Sequence, residues 1–244
     1  MDDAQRMSKL TERHDALLRG DEAAVAAHRE GGRLTARDRV TQLLDAGTFV
    51  EVEAYAAQGH VVTGYGLINS RPVYVAAQDV TQEGGAMSLA QARKISKTLR
   101  LAQTSGAPVI LMPDSKGIKV QEGAELLAAY AQVLGELAVL RGNCPVITLA
   151  AGEAVGIAAH LLQVADIAIA VEPGCLAAPF APSVMRAVHG EKLTDAQLGG
   201  AQALAAKGVA ALQADSEAQG LALVRAVVDL LHTSVGERVP LLEG

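Results

Sequence analysis

The sequence predicts an α/β protein with a mostly parallel sheet and a helical arm at its N-terminus. Residues 1–47 are polar and charged, with apolar residues at helical spacing, and residues 49–78 hold short β segments separated by turn residues. From residue 88 onward, short apolar strands alternate with longer helical segments, which is the pattern of βα units around a parallel sheet. We therefore predict a helical N-terminal arm over residues 1–47 and an α/β domain over residues 48–244.

The composition excludes several classes of protein. The chain carries 21 Lys and Arg against 27 Asp and Glu, a net charge of −6, so it offers no basic face for nucleic acid. Its only cysteines, Cys144 and Cys175, are too few for a disulfide framework or a zinc site. No continuous apolar run reaches the ~18 residues that span a bilayer, and the charged start of the chain lacks a signal-peptide core. We expect a cytoplasmic, reduced and metal-free protein without a membrane span.

The individual elements follow from the same patterns. In the arm, Thr35 is placed to cap a helix with Asp38 three residues on, and residues 45–47 read as a helix stop. Helices are predicted at residues 88–104, 122–140, 156–164 and 216–232. Strands are predicted at residues 50–54, 61–68, 73–77, 108–112, 145–150, 167–171, 175–177 and 208–212.

Two loops each follow a strand and open a helix. The first loop covers residues 113–123 and the second loop residues 150–160. A helix start presents unpaired backbone N–H groups and a partial positive charge, so two such loops at neighbouring strand tips can hold a carbonyl oxygen that becomes negative. The alternative is that Gly152 and Gly156 only permit tight packing of helix against strand.

A glycine pair followed by cations forms a third candidate site. Gly84, Gly85 and Ala86 precede a helix that bears the three cations Arg93, Lys94 and Lys97. Glycines at a helix start with cations nearby can cradle phosphates. The alternative interpretation, a solvated basic helix face, is favoured by the residues alone.

Several short segments, spread over most of the chain, form a recognisable set. They are residues 34–39 (Leu-Thr-Ala-Arg-Asp-Arg), 43–49, 64–66, 71–75, 78–79, 84–85, 114–115, 121–123 and 198–201. Together they resemble the carboxyltransferase subunits of acyl-CoA carboxylases and decarboxylases. The resemblance extends over residues 33–232 and covers the N-terminal half of the usual single-chain form.

This resemblance implies a crotonase-like fold of the ClpP/crotonase superfamily, built of repeated β-β-α units. It also implies that an acyl-CoA thioester binds with its carbonyl against backbone amides, and that its enolate is carboxylated by carboxybiotin. Carried onto this chain, the amides of Val155 and Gly156 are the first choice for the oxyanion hole, with those of Gly117 and Ile118 on the opposing side. The cations of the predicted helix at residues 88–104 become candidates for the CoA phosphates.

The chain departs from the family pattern at the two loops. Lys116 replaces the first glycine of the usual Asp-Ser-Gly-Gly-Ala-Arg, Lys119 stands at its arginine, and Val155 stands where a glycine is expected. Lys116 could stabilise an enolate, bind malonyl oxygens, pair with Glu153 across the loops, or be a solvated lysine. His160 is predicted to be a packed histidine rather than a base.

The function that follows is a carboxyltransferase-type subunit that binds an acyl-CoA or acyl-carrier thioester and stabilises its enolate during biotin-dependent carboxyl transfer. Because the sequence has no Met-Lys-Met biotinylation site, any biotin would arrive on a separate carrier. The expected partners are a second carboxyltransferase-type subunit and a biotin or acyl carrier protein. The alternatives are the β-type subunit of a biotin-independent malonate decarboxylase and a non-catalytic scaffold subunit of a carboxylase complex.

Overall fold

The structure, a computed structural model, describes residues 3–55, 60–189 and 193–231. Its strands are β1 Val50–Glu51, β2 Val61–Ile68, β3 Arg71–Gln78, β4 Val109–Met112, β5 Val146–Ala150, β6 Glu153–Val155, β7 Ile167–Val171, β8 Leu176–Ala178 and β9 Leu212–Ala214. Its helices are α1 Asp3–Arg19, α2 Glu22–Glu30, α3 Ala36–Leu43, α4 Leu89–Ser105, α5 Gly123–Leu140, α6 Ile157–Gln163, α7 Pro182–His189, α8 Asp195–Gly199, α9 Ala201–Ala206 and α10 Glu217–Leu230.

The main sheet has seven strands in the order β1-β2-β3-β4-β5-β7-β9. The first three strands are antiparallel, and β2 and β3 form a hairpin whose turn residues Asn69 and Ser70 both have positive φ. From β3 to β9 the neighbours are parallel, as the alternation of strands and helices predicts. Strands β6 and β8 form a separate two-stranded parallel sheet.

The core lies on both faces of the main sheet, because the strands in its middle alternate their side chains between two apolar clusters. In β4, Val109 and Leu111 pack with α4 and α5, whereas Ile110 and Met112 pack with α3 and α10. A strand buried on both faces reads as a continuous apolar run, which is why β4 is visible in the sequence.

The sequence locates most of these elements, and the Thr35–Asp38 capping box forms as predicted. Strand β6 was not predicted, β9 begins four residues later than expected, and β1 is shorter. Helix α3 contributes Ala36, Val40 and Leu43 to one of the two core clusters. The boundary at residue 47 stays a prediction.

One stretch of the described residues, Val120–Leu140, is apolar and long enough to cross a membrane by length and composition alone. Its side chains at positions 126, 130, 133, 137 and 140 are buried in the core cluster that also contains α4. This spacing is that of a core helix.

Candidate functional site

The two loops lie side by side at the carboxyl ends of β4 and β5. Ser115 donates its amide to the carbonyl of Glu153 and accepts the amide of Val155 at 3.0 Å. This pairing forms a parallel bridge between Ser115 and Ala154. The loops therefore continue the sheet order beyond the strand ends, where ligands bind in α/β folds.

A buried carboxylate fills the space between the loops. Asp114 is fully buried, and it accepts a hydrogen bond from Arg39 Nη1 at 2.7 Å on one oxygen and from the amide of Glu153 at 3.2 Å on the other. A Cβ atom on Gly152 would lie 2.3 Å from this carboxyl group. Gly152 is thus required for the close approach of Asp114, rather than for packing of helix against strand.

The amides of Val155 and Gly156, the predicted oxyanion pair, both donate hydrogen bonds within the fold. Val155 donates to Ser115, and Gly156 donates to the carbonyl of Ala178 at 2.9 Å. The next two amides, Ile157 and Ala158, begin α6 and have no carbonyl acceptor among the described residues. Ile157 is half-buried and Ala158 is fully buried, so Ile157 is the more accessible of the two.

The backbone conformations of Val155 and Gly156 explain how the fold accommodates a valine at position 155. Val155 lies within β6 in extended backbone, where a β-branched residue is favoured. The backbone conformation that requires glycine falls on Gly156, with φ 70° and ψ −126°.

The first loop offers the amide of Ile118. A parallel bridge between Met87 and Ile118 uses the carbonyl of Gly117 and the amide of Lys119, so it leaves the amide of Ile118 unused. The amide of Gly117 donates to Ser115 Oγ at 3.3 Å within its own loop. Of the predicted pair on this side, Ile118 is therefore the more available donor.

The two lysines of the first loop have different surroundings. Lys119 pairs with Glu83 at 2.7 Å, which raises the pKa of Lys119 and lowers that of Glu83. Lys116 is exposed and forms no ion pair within 4.0 Å in the described part of the chain, so the expected pair with Glu153 is not formed. The aliphatic part of Lys116 instead lies against Gly84.

Two of the three amides in the predicted phosphate cradle, those of Gly85 and Ala86, are used within the fold. The amides of Gly85 and Ala86 donate within the short 3-10 turn Glu83–Gly85, to Gln82 and Glu83. A Cβ atom on Gly85 would lie 2.1 Å from the carbonyl oxygen of Asp114. These glycines let the turn pack against the first loop.

The three predicted phosphate ligands of α4 separate in the structure. Lys94 is buried and donates to the carbonyl of Val61 at 2.8 Å, and burial lowers its pKa. Lys97 is exposed and paired with Glu53 at 2.6 Å. Arg93 is exposed and has no ion-pair partner among the residues described.

Two further residues differ from expectation. His160 is exposed rather than packed, and its Nδ1 lies 3.1 Å from the carbonyl oxygen of Gly156. Arg39 was not predicted as part of the site. Its signal in the sequence is a charge on the apolar face of α3, beside Ala36, Val40 and Leu43.

Comparison with known proteins places these features in a family. Residues 27–244 match the carboxyl transferase domain family. The propionyl-CoA carboxylase beta chain of Mus musculus is 36% identical over 95% of this chain and 46% of its own length. The methylmalonyl-CoA decarboxylase subunit alpha of Veillonella parvula is 33% identical over 92% of this chain and 47% of its own length.

Among solved structures, transcarboxylase 12S with bound methylmalonyl-coenzyme A superimposes with a TM-score of 0.93 and 28% identity, over 98% of this chain and 50% of the other. This likeness confirms the predicted crotonase-like fold. The chain spans about half the length of the curated relatives it matches. It belongs to the carboxyl transferase domain family.

Proposed function

We propose that this chain forms the acyl-CoA half of a carboxyltransferase site and stabilises the enolate of an acyl thioester. The observation that carries the proposal is the unused amide pair of Ile157 and Ala158 at the start of α6, beside a hydrogen-bonded neighbouring loop. Amides fixed in this way stabilise an oxygen whose negative charge develops during the reaction. The relationship to propionyl-CoA carboxylase beta chains supports an acyl-CoA substrate.

The chemistry divides between the two loops. The amides of Ile157 and Ala158 hold the thioester oxygen while the α-carbon gives its proton to the ureido group of biotin, or, in the reverse direction, releases its carboxyl group as CO2. The ammonium group of Lys116 pairs with the carboxylate of a malonyl-type thioester, since hydrogen bonds between charged groups are stronger than those between neutral groups. Carboxybiotin, when bound, would supply the carboxyl group. The ureido oxygen of biotin is a hydrogen-bond acceptor, and the amide of Ile118 is a donor that can meet it.

A second carboxyltransferase-type half is the proposed partner, with biotin on a separate carrier. The support is that the relatives are named as a beta chain and a subunit alpha, and that transcarboxylase 12S is described as a hexamer. Arg93 and Lys97 on α4 are the remaining candidates for the CoA phosphates.

Calorimetric titration with methylmalonyl-CoA, propionyl-CoA and free CoA tests the proposal. We expect the acylated forms to bind at least about tenfold more tightly than free CoA, because only they place an oxygen at the amides of α6. A cooperatively folded chain that binds none of the three would contradict the proposal and favour a scaffold role.

The direction of the reaction needs a second assay. Release of CO2 from methylmalonyl-CoA or malonyl-CoA that requires added biotin or its carrier is the expected result. Turnover without biotin would instead indicate a decarboxylase of the biotin-independent malonate type. The methylmalonyl-CoA decarboxylase relatives make this direction a necessary part of the test.

A further inference from the structure

A buried ion cluster lies beneath the two loops. The guanidinium of Arg39 on α3 is 1% exposed, and it donates Nη1 to Asp114 and Nε to Glu217, each at 2.7 Å. Asp114 belongs to the first loop, and Glu217 begins α10. Replacing a buried ion cluster by apolar residues commonly leaves stability unchanged or higher, so a gain in stability does not by itself explain this one. Its position under the loops suggests another role.

Asp114 connects the cluster to both loops. One carboxylate oxygen is held by Arg39, and the other accepts the amide of Glu153 in the second loop. The carbonyl of Glu153 in turn accepts the amide of Ser115 in the first loop. A shift of the carboxylate would therefore release hydrogen bonds in both loops at once.

A neutral buried chain anchors Asp114 from the other side of the sheet. The amide of Asp114 donates to Gln78 Oε1 at 3.1 Å, and Gln78 Nε2 donates to Gln91 Oε1 at 2.8 Å. Tyr130 donates its hydroxyl to the same oxygen of Gln91. Gln78, Gln91 and Tyr130 are buried on β3, α4 and α5. The first loop is thus tied to helices on both faces of the sheet.

We propose that Arg39 and Gln78 are positioning residues, which hold the two loops at the separation where the amide of Ile157 meets the thioester oxygen and the amide of Ile118 meets the ureido oxygen of bound biotin. Neither side chain touches the substrate. Arg39 acts through the carboxylate of Asp114, and Gln78 acts through its amide. The effect on turnover rests on the proposed function, whereas the effect on loop geometry does not.

Hydrogen exchange of the full chain, read by mass spectrometry, tests the geometric part. In Arg39→Met we expect the peptides that cover residues 113–118 and 150–158 to exchange about tenfold faster or more, while the strands of the sheet change by less than about twofold. The matched control is Arg37→Met on the same helix. This change removes the ion pair between Arg37 and Glu51, which belongs to neither loop. It should leave both loops unchanged.

Gln78→Met is a second variant, and it changes no charge. It keeps the test decisive if Arg39→Met fails to fold. The same selective acceleration is expected, because the amide of Asp114 loses its acceptor. Uniform acceleration through the whole domain, or unchanged exchange in both loops, would overturn the proposal.

Steady-state kinetics test the consequence for catalysis. We expect Arg39→Met to lower kcat about 100-fold with little change in KM, because a small displacement of the amides acts on the transition state. Arg39→Lys, which keeps the charge, should recover part of the loss. A change in KM alone would contradict positioning. These rates are measured with the partner half and the biotin carrier present. A wild type that is inactive under those conditions would instead refute the proposed function, and hydrogen exchange would still decide the role of the two residues.

Discussion

At the scale of single residues, the hydrogen bonds of the backbone decide which groups can meet a ligand. Val155 and Gly156 stand in a loop of the expected kind, yet their amides pair with Ser115 and Ala178. The amides of the next two residues, Ile157 and Ala158, have no acceptor in the described structure. A sequence shows which side chains a loop carries, but it does not show which backbone amides already donate hydrogen bonds. It therefore locates the loop but not the amides that are available to a ligand.

Lys116 leads to a prediction about substrate charge. It is exposed without an ion-pair partner in the part of the chain described, so its ammonium group can meet a carboxylate. We expect Lys116→Met to weaken binding of methylmalonyl-CoA by about 10- to 100-fold while binding of propionyl-CoA changes little, because a charged hydrogen bond contributes about 1.5–3 kcal/mol. Calorimetry with both thioesters measures the difference.

The neighbouring Lys119 provides the control, since Glu83 already neutralises it at 2.7 Å. Lys119→Met should leave the preference between the two thioesters unchanged. Equal weakening of both thioesters by Lys116→Met would show that Lys116 does not recognise the carboxylate.

At the scale of elements, the patterns of apolar residues predict most helices and strands, because they report burial directly. Strand β4, for example, places its side chains in both core clusters, and helix α5 buries the side chains of one face. Strand β6 was not predicted, since its few residues are defined by pairing with β8 and with the first loop. The Arg39 cluster is equally non-local, because its members are brought together only by folding.

Two glycines make a matched prediction about stability. A Cβ atom on Gly152 would lie 2.3 Å from the Asp114 carboxyl group, whereas one on Gly135 in α5 would meet nothing within 4 Å. We expect Gly152→Ala to destabilise the fold by about 1–3 kcal/mol through overpacking. Gly135→Ala should stabilise it by about 0.5–1 kcal/mol through helix propensity. Urea unfolding of both variants checks the pair, and equal effects would contradict the packing argument.

The link between α2 and α3 predicts a dependence of stability on pH. Arg29 donates two hydrogen bonds to Asp38, which holds the pKa of that carboxyl at about 2, below its usual 3.8. A lowered pKa in the folded state stabilises the protein above the unfolded value. That contribution is lost as the pH falls from about 4 to 2.

The expected contribution is on the order of 1 kcal/mol, because Arg29 is partly exposed to solvent. Unfolding free energies of the wild type and of Asp38→Asn, measured between pH 5 and 2, should converge as the pH falls. A constant difference over this range would refute the assignment.

At the scale of the whole molecule, one sheet with helices on both faces carries the two loops at its carboxyl edge. Helices α4 and α5 support one face, and α3 and α10 support the other. The crotonase-like fold was predictable because the motifs of the family are spread over most of the chain. The geometry between the loops was not, since it depends on contacts between residues far apart in sequence, such as Arg39 and Asp114.

In the proposed function, the amides at the start of α6 hold the thioester oxygen. Infrared spectroscopy of methylmalonyl-CoA labelled with carbon-13 at the thioester carbonyl reports on this hydrogen bond directly. Ile157→Pro removes one donor at a helix position where proline is tolerated, and Ile157→Ala keeps it.

We predict that the carbonyl band moves to lower frequency when the thioester binds to the wild type and to Ile157→Ala. The shift should be smaller for Ile157→Pro, whose kcat should also fall by about 100-fold or more. An unshifted carbonyl band in the bound wild-type complex, or an equal shift in all three proteins, would show that the amide of Ile157 does not bind the thioester oxygen.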